Sequence, residues 1–375
     1  MRAFACPACH AFTPFESDRC PSCGVSVGLH LPSRSMVALD DGVALVDGRQ
    51  WLRCTQAGPL GCNWLVSVDD DPATRGRCLS DTLIRRKPDA DDTIAREKLV
   101  PTAAALRRLV YQLIDLGLPV DPYWRREGGL AFDLLSSYST GEKVTIGHAN
   151  GVITIDLVES LDAYRESLRV RLGEPYRTML GHFRHEVGHY FQNILVETGP
   201  GAARYLDRCR DLFGDERADY SEALARHYRF GAPANWQESF ISEYATMHPW
   251  EDFAECFAHY LHITDTLDTT REAGMVLHAD RVRFTAPHDI VARASYADAT
   301  IEQLLFDWKW ISLFFNRVNA AMGKNPLYPF DISTAVADKL GFVHRVMAEG
   351  AGWRPPETTP RTVGDESRQE FRRSL

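Results

Sequence analysis

At 375 residues with 45% hydrophobic content, the chain can bury a sizeable core and divide into two or three domains. A formal net charge of -9 opposes attraction to nucleic acid or an anionic membrane, because like charge repels phosphate before local contacts form. The N-terminus has no signal-peptide pattern and no apolar run is long enough to span a bilayer, which predicts a cytoplasmic protein without membrane partners.

In chain order, the first feature is a cluster of cysteines. Cys6, Cys9, Cys20, Cys23, Cys54, Cys62 and Cys78 crowd the N-terminal part, and only Cys209 and Cys256 follow. In a reducing compartment that clustering argues for metal rather than disulfides. Cys6-Pro-Ala-Cys9 and Cys20-Pro-Ser-Cys23 are two CxxC knuckles, so residues 1–28 are predicted to form a zinc ribbon in which four thiolates hold one structural zinc. The ribbon sets only Arg2 and Arg19 against Glu16 and Asp18; this near-neutral balance suits a structural or protein-docking role, and nucleic acid is not expected. Residues 29–100 have short apolar runs broken by Gly, Pro and Asp and form a second module, whose Cys54, Cys62 and Cys78 could build a second zinc site. Cys209 and Cys256 are read as reduced core or near-surface residues.

A helix is predicted from Thr102 to Leu116, where Leu106, Leu109, Val110, Leu113 and Ile114 follow helical spacing and Gly117 and Pro119 stop it. Leu130–Leu135 and Lys143–Leu157 are predicted strands, the latter broken by a hairpin at Asn150-Gly151. The segment Gly151–Leu157 could be an edge that pairs with extended peptide beside a cleft, or an interior strand. Helical pattern resumes from Pro175, then over Asp215–Tyr228 and Glu251–Ile263. Thr300 and Gln303 make a capping box ahead of the stripe Ile301, Leu304, Leu305, Trp308, Ile311, Phe315 and Val318. A last helix starts near Ser333, with Val336, Leu340, Val343 and Met347 on its core face. Residues 351–375 have few apolar side chains and are predicted to be a disordered tail.

The chemistry centres on His185-Glu186-Val187-Gly188-His189. On a helix, residues 185 and 189 project from one face a turn apart, so both imidazoles can reach one zinc ion, and Glu186 stands beside a zinc-bound water whose proton it can take. Apolar Val187, Tyr190, Phe191, Ile194 and Leu195 around the histidines suit a buried helix better than a surface one. A third protein ligand is needed. A metzincin would have Gly at 192 and His at 195; Gln192 and Leu195 stand there, which excludes that class. The segment Trp250–Tyr260 offers Glu251 and Glu255 one turn apart on an apolar helix, where an unpartnered carboxylate would be costly. The residues alone leave His248, His259 and Asp252 open as further alternatives.

Together, His182–Tyr190, His248–Glu255 and Ala258–Ile263 resemble the bacterial zinc-binding metallopeptidases of gluzincin type that carry an N-terminal zinc ribbon. The likeness runs from Cys6 to about Gly350. Tyr244 and Glu251-Asp252-Phe253-Ala254-Glu255 resemble, more distantly, the catalytic domain of anthrax lethal factor. The resemblance implies Glu251 as third ligand, Glu255 as an outer residue holding a histidine, and Tyr244 as donor to the oxyanion, unless Tyr244 is merely packed. It also implies a CxxC at Cys78, where Asp81 occupies the fourth position; Asp81 could ligate zinc through oxygen, or the site has been lost.

The expectation is therefore an α+β protein: a zincin-like catalytic domain over residues 101–350 with a helical C-terminal half, behind the ribbon and the second module. Its expected function is zinc-dependent hydrolysis of peptide or isopeptide bonds in a peptide or protein substrate. The alternative is a zinc-stabilised interaction or regulatory module whose metal site does not turn over.

Overall fold

The computed structural model describes residues 3–140, 144–157, 178–199, 201–283 and 286–353. The architecture is α+β, and the chain divides into two compact units, one drawn from Met1–Asp115 and Val120–Tyr164, the other from Leu116–Pro119 and Arg165–Pro355. No helix among the described residues is long and apolar enough to cross a membrane. Most of the expected tail, together with Lys143 and residues 175–177, lies outside the described residues.

The first unit starts as small sheets. Strands β1 (Phe4–Ala5) and β2 (Phe12–Thr13) pair across the first cysteine knuckle, β3 (Val27–His30) pairs with β4 (Ser35–Ala38), and β5 (Val43–Val46), β6 (Arg49–Arg53) and β7 (Leu65–Ser67) form a meander. Such short strands bury little by themselves, and aromatic packing supplements them. Phe15 meets Phe4, Trp64 and Tyr111 at ring-centroid distances of 5.9, 6.4 and 5.3 Å, pairs worth about 0.5–1.5 kcal/mol each beyond the area they bury. Tyr111 belongs to helix α1 (Thr93–Asp115), so the ribbon is docked on that helix.

Helix α1 begins nine residues before the predicted start at Thr102. Pro101 lies inside it, and a proline normally marks a boundary because it lacks an N–H and clashes with the preceding turn. Two features offset this: the Asp92 carboxylate accepts the Ala95 N–H at 2.9 Å, and Ala95 and Leu99 extend the buried face that Leu106, Leu109 and Leu113 continue.

The larger sheet has the order β10 (Gly147–Ala149), β11 (Val152–Asp156), β9 (Ala131–Leu135), β8 (Ile84–Arg86). The hairpin at Asn150-Gly151 is present, with both residues at positive φ (49° and 82°), as a two-residue turn between twisted strands requires. Of the two readings of Gly151–Leu157, the interior one holds: β11 pairs antiparallel with β10 and parallel with β9. Its backbone groups are spent on both neighbours, leaving no row for an incoming peptide.

The second unit is helical. Its principal members are α2 (Met179–Phe191), α3 (Ala202–Phe213), α4 (Tyr220–Phe230), α5 (Pro249–Glu272), α6 (Ile301–Ala321) and α7 (Thr334–Gly350). Helix α2 continues into a π-helical stretch, Gln192–Glu197. Thr300 and Gln303 form the reciprocal capping box predicted for α6. Helix α5 is the centre of the unit, almost wholly buried from Glu251 to Thr264. Its Phe257 stacks on Phe191 of α2 at 5.4 Å and its Phe253 meets Phe213 of α3 at 5.4 Å. On the α7 side Lys339 donates to Asp252 at 2.5 Å and the Tyr260 hydroxyl reaches His344 at 2.8 Å.

Candidate metal and catalytic site

Helices α2 and α5 cross where Gly188 meets Ala254. A Cβ built at Gly188 would lie 2.9 Å from the Ala254 Cα, so only glycine permits this approach. Arg184 ties the crossing further along, with guanidinium nitrogens 2.7 Å from His262 Nδ1 and 2.6 Å from Asp265. In an exposed helix Gly→Ala stabilises by about 1 kcal/mol. Gly188→Ala should instead destabilise by about 1–3 kcal/mol through overpacking, measurable by denaturant unfolding; a stabilised variant would contradict the tight crossing.

The close approach brings the predicted residues of α5 against the histidines of α2. Glu251 Oε2 lies 2.9 Å from His185 Nε2 and 3.5 Å from His189 Nε2, and the potential ligand atoms of the three residues are all within 4.8 Å of one another. Pro249 starts α5 after His248, whose ring accepts the Trp250 N–H. That cap places Glu251 in the first turn, where the helix dipole favours its charge.

The neighbours determine how each group faces the cluster. Glu255, one turn beyond Glu251, lies 2.7 Å from His185 Nδ1 and accepts the Ser242 hydroxyl at 2.6 Å. With Nδ1–H donated to that carboxylate, the Nε2 lone pair of His185 is available to a metal. The Tyr220 hydroxyl, from α4, donates to Glu251 Oε1 at 2.9 Å, leaving Oε2 to face the imidazoles. Tyr244 stands with its ring 5.7 Å from that of His185. Glu186 is 5% exposed; its Oε1 lies 3.5 Å from His182 Nε2, and its Oε2 has no hydrogen-bond partner among the described residues.

The electrostatics favour a cation. Burial opposes protonation of His185, yet hydrogen bonds to Glu251 and Glu255 outweigh it and hold the imidazole well above its usual pKa. Burial likewise works against ionised Glu251, but the charges of His189 and His185 and their hydrogen bonds keep its carboxyl well below the usual range. Glu186 is also lowered despite burial, by the His182 hydrogen bond and the charges of His185 and His189. Two imidazoles and a carboxylate flanked by further acids are a donor set that could hold zinc.

The other histidines of this region are committed elsewhere. His248 Nε2 bonds the Ala218 carbonyl, His259 Nδ1 the Tyr328 hydroxyl and His262 Nδ1 Arg184. Tyr220 and Ser242 escaped the sequence reading. They sit 31 and 13 residues before their partners, in segments whose pattern reports only a surface helix and a loop. Helix α4 starts at Tyr220, where the Asp219 carboxylate caps it by accepting the Glu222 N–H, rather than at the predicted Asp215.

Both cysteine groups assemble. Cys6 and Cys23 sulfurs are 3.7 Å apart and those of Cys9 and Cys20 3.6 Å, while Ala8 and Ser22 N–H groups point at Cys6 and Cys20. In the second module Cys54, Cys62, Cys78 and Asp81 converge, all buried. Asp81 Oδ2 lies 3.1 Å from Cys54 Sγ and 3.2 Å from Cys78 Sγ, and the Gln56 and Cys78 N–H groups point at Cys54 Sγ. Burial and the Cys54 charge push the Asp81 carboxyl up to about 6, against the pull of Arg107, which is buried 3.8 Å from Asp81 Oδ1. Three thiols and a carboxylate converging in a buried core are a donor set that could hold a metal. Cys209 and Cys256 are buried singly.

Comparison with known proteins gives the chain's family. Residues 96–346 match the family described as "Putative zinc-binding metallo-peptidase" and residues 3–92 a zinc-ribbon domain. Uncharacterized proteins of Mycobacterium tuberculosis and Mycobacterium bovis are each 41% identical over 97% of this chain and 100% of their own length. No solved structure matches significantly, so the likeness to anthrax lethal factor rests on the sequence motif alone. The chain belongs to the family described as "Putative zinc-binding metallo-peptidase", with a zinc-ribbon domain ahead of its peptidase region.

Proposed function

We propose that the chain hydrolyses peptide or isopeptide bonds at a zinc held by His185, His189 and Glu251, with Glu186 as general base. The observation that carries this reading is the meeting of Glu251 Oε2 with both imidazoles beside the buried, ionised Glu186, whose Oε2 has no partner among the described residues. Bound there, zinc would polarise the scissile carbonyl and make the attacking water more acidic. Glu186 takes the proton from that water and passes it to the leaving amine, the ordinary work of a positioned carboxylate. His182 orients Glu186, while Glu255 and Ser242 hold the His185 ring in the tautomer that presents Nε2. Tyr244 is assigned to the developing oxyanion, and Tyr220 fixes the Glu251 carboxylate. A metal site that never turned over would have no use for a buried carboxylate with an unengaged oxygen.

The zinc-loaded protein, incubated with a proteome-derived peptide pool, should generate new termini that vanish with a chelator and return with zinc. A pool unchanged by the zinc-loaded protein would reject the peptidase reading in favour of the interaction module.

The two cysteine groups are assigned one structural zinc each, the second held by Cys54, Cys62, Cys78 and Asp81. Asp81→Ala should therefore lower the zinc content of the full chain by one ion and destabilise the first unit by about 3–5 kcal/mol, since it also strands the buried Arg107. Elemental analysis and thermal unfolding check this; unchanged zinc with lower stability would make Asp81 a partner of Arg107 alone.

A further inference from the structure

Beside His185 and Glu186 lies a cavity of about 350 Å³, room for a long side chain and the backbone that carries it. Trp236, Phe240 and Phe330 supply aromatic walls. His259 lines it while only 4% exposed. Its Nδ1 is taken by the Tyr328 hydroxyl at 2.8 Å and its ring is set edge-on to Phe330, centroids 4.4 Å apart. Its Nε2 has no hydrogen-bond partner among the described residues.

Away from the histidines of the metal site, the charge of the lining is one-sided. Glu186, Glu243, Glu255 and Asp331 contribute carboxylates, and none of the described lining residues is Lys or Arg. Glu186 and Glu255 are engaged with the histidines, whereas Glu243 and Asp331 make no ion pair among the described residues. Lys339 stands 4.3 Å from the Phe240 ring, but its ammonium is neutralised by Asp252 at 2.5 Å.

We infer that this cavity is the subsite for a lysine or arginine side chain next to the bond to be cut, an inference that rests on the peptidase reading. Aromatic faces attract a cation through their ring quadrupoles. Glu243 and Asp331 supply opposite charge, and in the tautomer that donates Nδ1–H to Tyr328, His259 Nε2 can accept an N–H. Burial holds His259 down to about 4, so its ring carries no charge to oppose a cation at neutral pH. A purely apolar side chain would strip water from His259 Nε2 without replacing its hydrogen bond. A glutamate would meet like charge.

The test is peptide binding to the full-length, zinc-loaded Glu186→Gln protein, which needs no turnover. The probes are a fluorescent alanine-based peptide with one central lysine and its norleucine and glutamate counterparts. The lysine peptide should bind about tenfold tighter than norleucine, and that ratio should fall toward one when Glu243→Gln and Asp331→Asn are added, two rim charges accounting for a factor of this size. Equal or tighter binding of the norleucine or glutamate peptide, or a lysine preference that survives both substitutions, would overturn the inference. Wild-type cleavage of a peptide pool decides separately: lysine-selective binding with no cleavage would keep the subsite and remove the peptidase, whereas cleavage without basic preference would do the reverse.

Discussion

Glu186→Gln is expected to lower kcat by about 10²- to 10⁴-fold, the range spanned by positioned general bases, while the zinc content stays at the wild-type level. The substitution keeps the shape and a hydrogen-bonding carbonyl, so the α2–α5 crossing at Gly188 and Ala254 is untouched, but an amide cannot accept a proton from water. Wild-type Glu186 is suited to that task because the His182 hydrogen bond favours its ionised form in a buried position. Turnover of a cleaved peptide, measured with metal analysis of the same samples, separates the cases. Equal rates would remove Glu186 from the chemistry, and a parallel loss of zinc would turn it into a structural residue.

Glu251→Ala and Glu255→Ala should differ in a definite order. Oε2 of Glu251 faces both imidazoles, so its removal takes away one of the three proposed protein ligands, and the zinc of this site should be lost at ordinary concentrations. Glu255 touches the far nitrogen of His185, and removing such an outer partner typically costs about 10- to 100-fold in metal affinity. Zinc titration against a competing chelator measures both. The opposite order would transfer the ligand role to Glu255.

Much of this site can be read in the sequence because helical spacing is a strong constraint. His185 and His189 at i and i+4, and Glu251 and Glu255 likewise, can each be assigned to one face of a helix without knowing the fold. Cys6–Cys9 and Cys20–Cys23 are similarly local, since a knuckle turn needs only its own residues. Cys54, Cys62, Cys78 and Asp81 are scattered over 28 positions, and only the folded module reveals that all four converge. Tyr220 and Ser242 were illegible for the same reason: no periodicity links a residue at the start of α4 to a carboxylate on α5. In the sheet, the Asn150-Gly151 turn announced the β10–β11 hairpin, but the parallel partner β9 on the other side depends on a crossover with no local signature. Pro101 hid the early start of α1, although Ala95 and Leu99 already carried its buried stripe.

The most direct measurement is an anomalous difference map at the zinc edge from crystals of the wild-type protein. The proposed site requires a peak bounded by the Nε2 atoms of His185 and His189 and by Oε2 of Glu251, apart from the peaks at the cysteine groups. Density at the cysteines alone, or a peak whose carboxylate ligand comes from another residue, would contradict it.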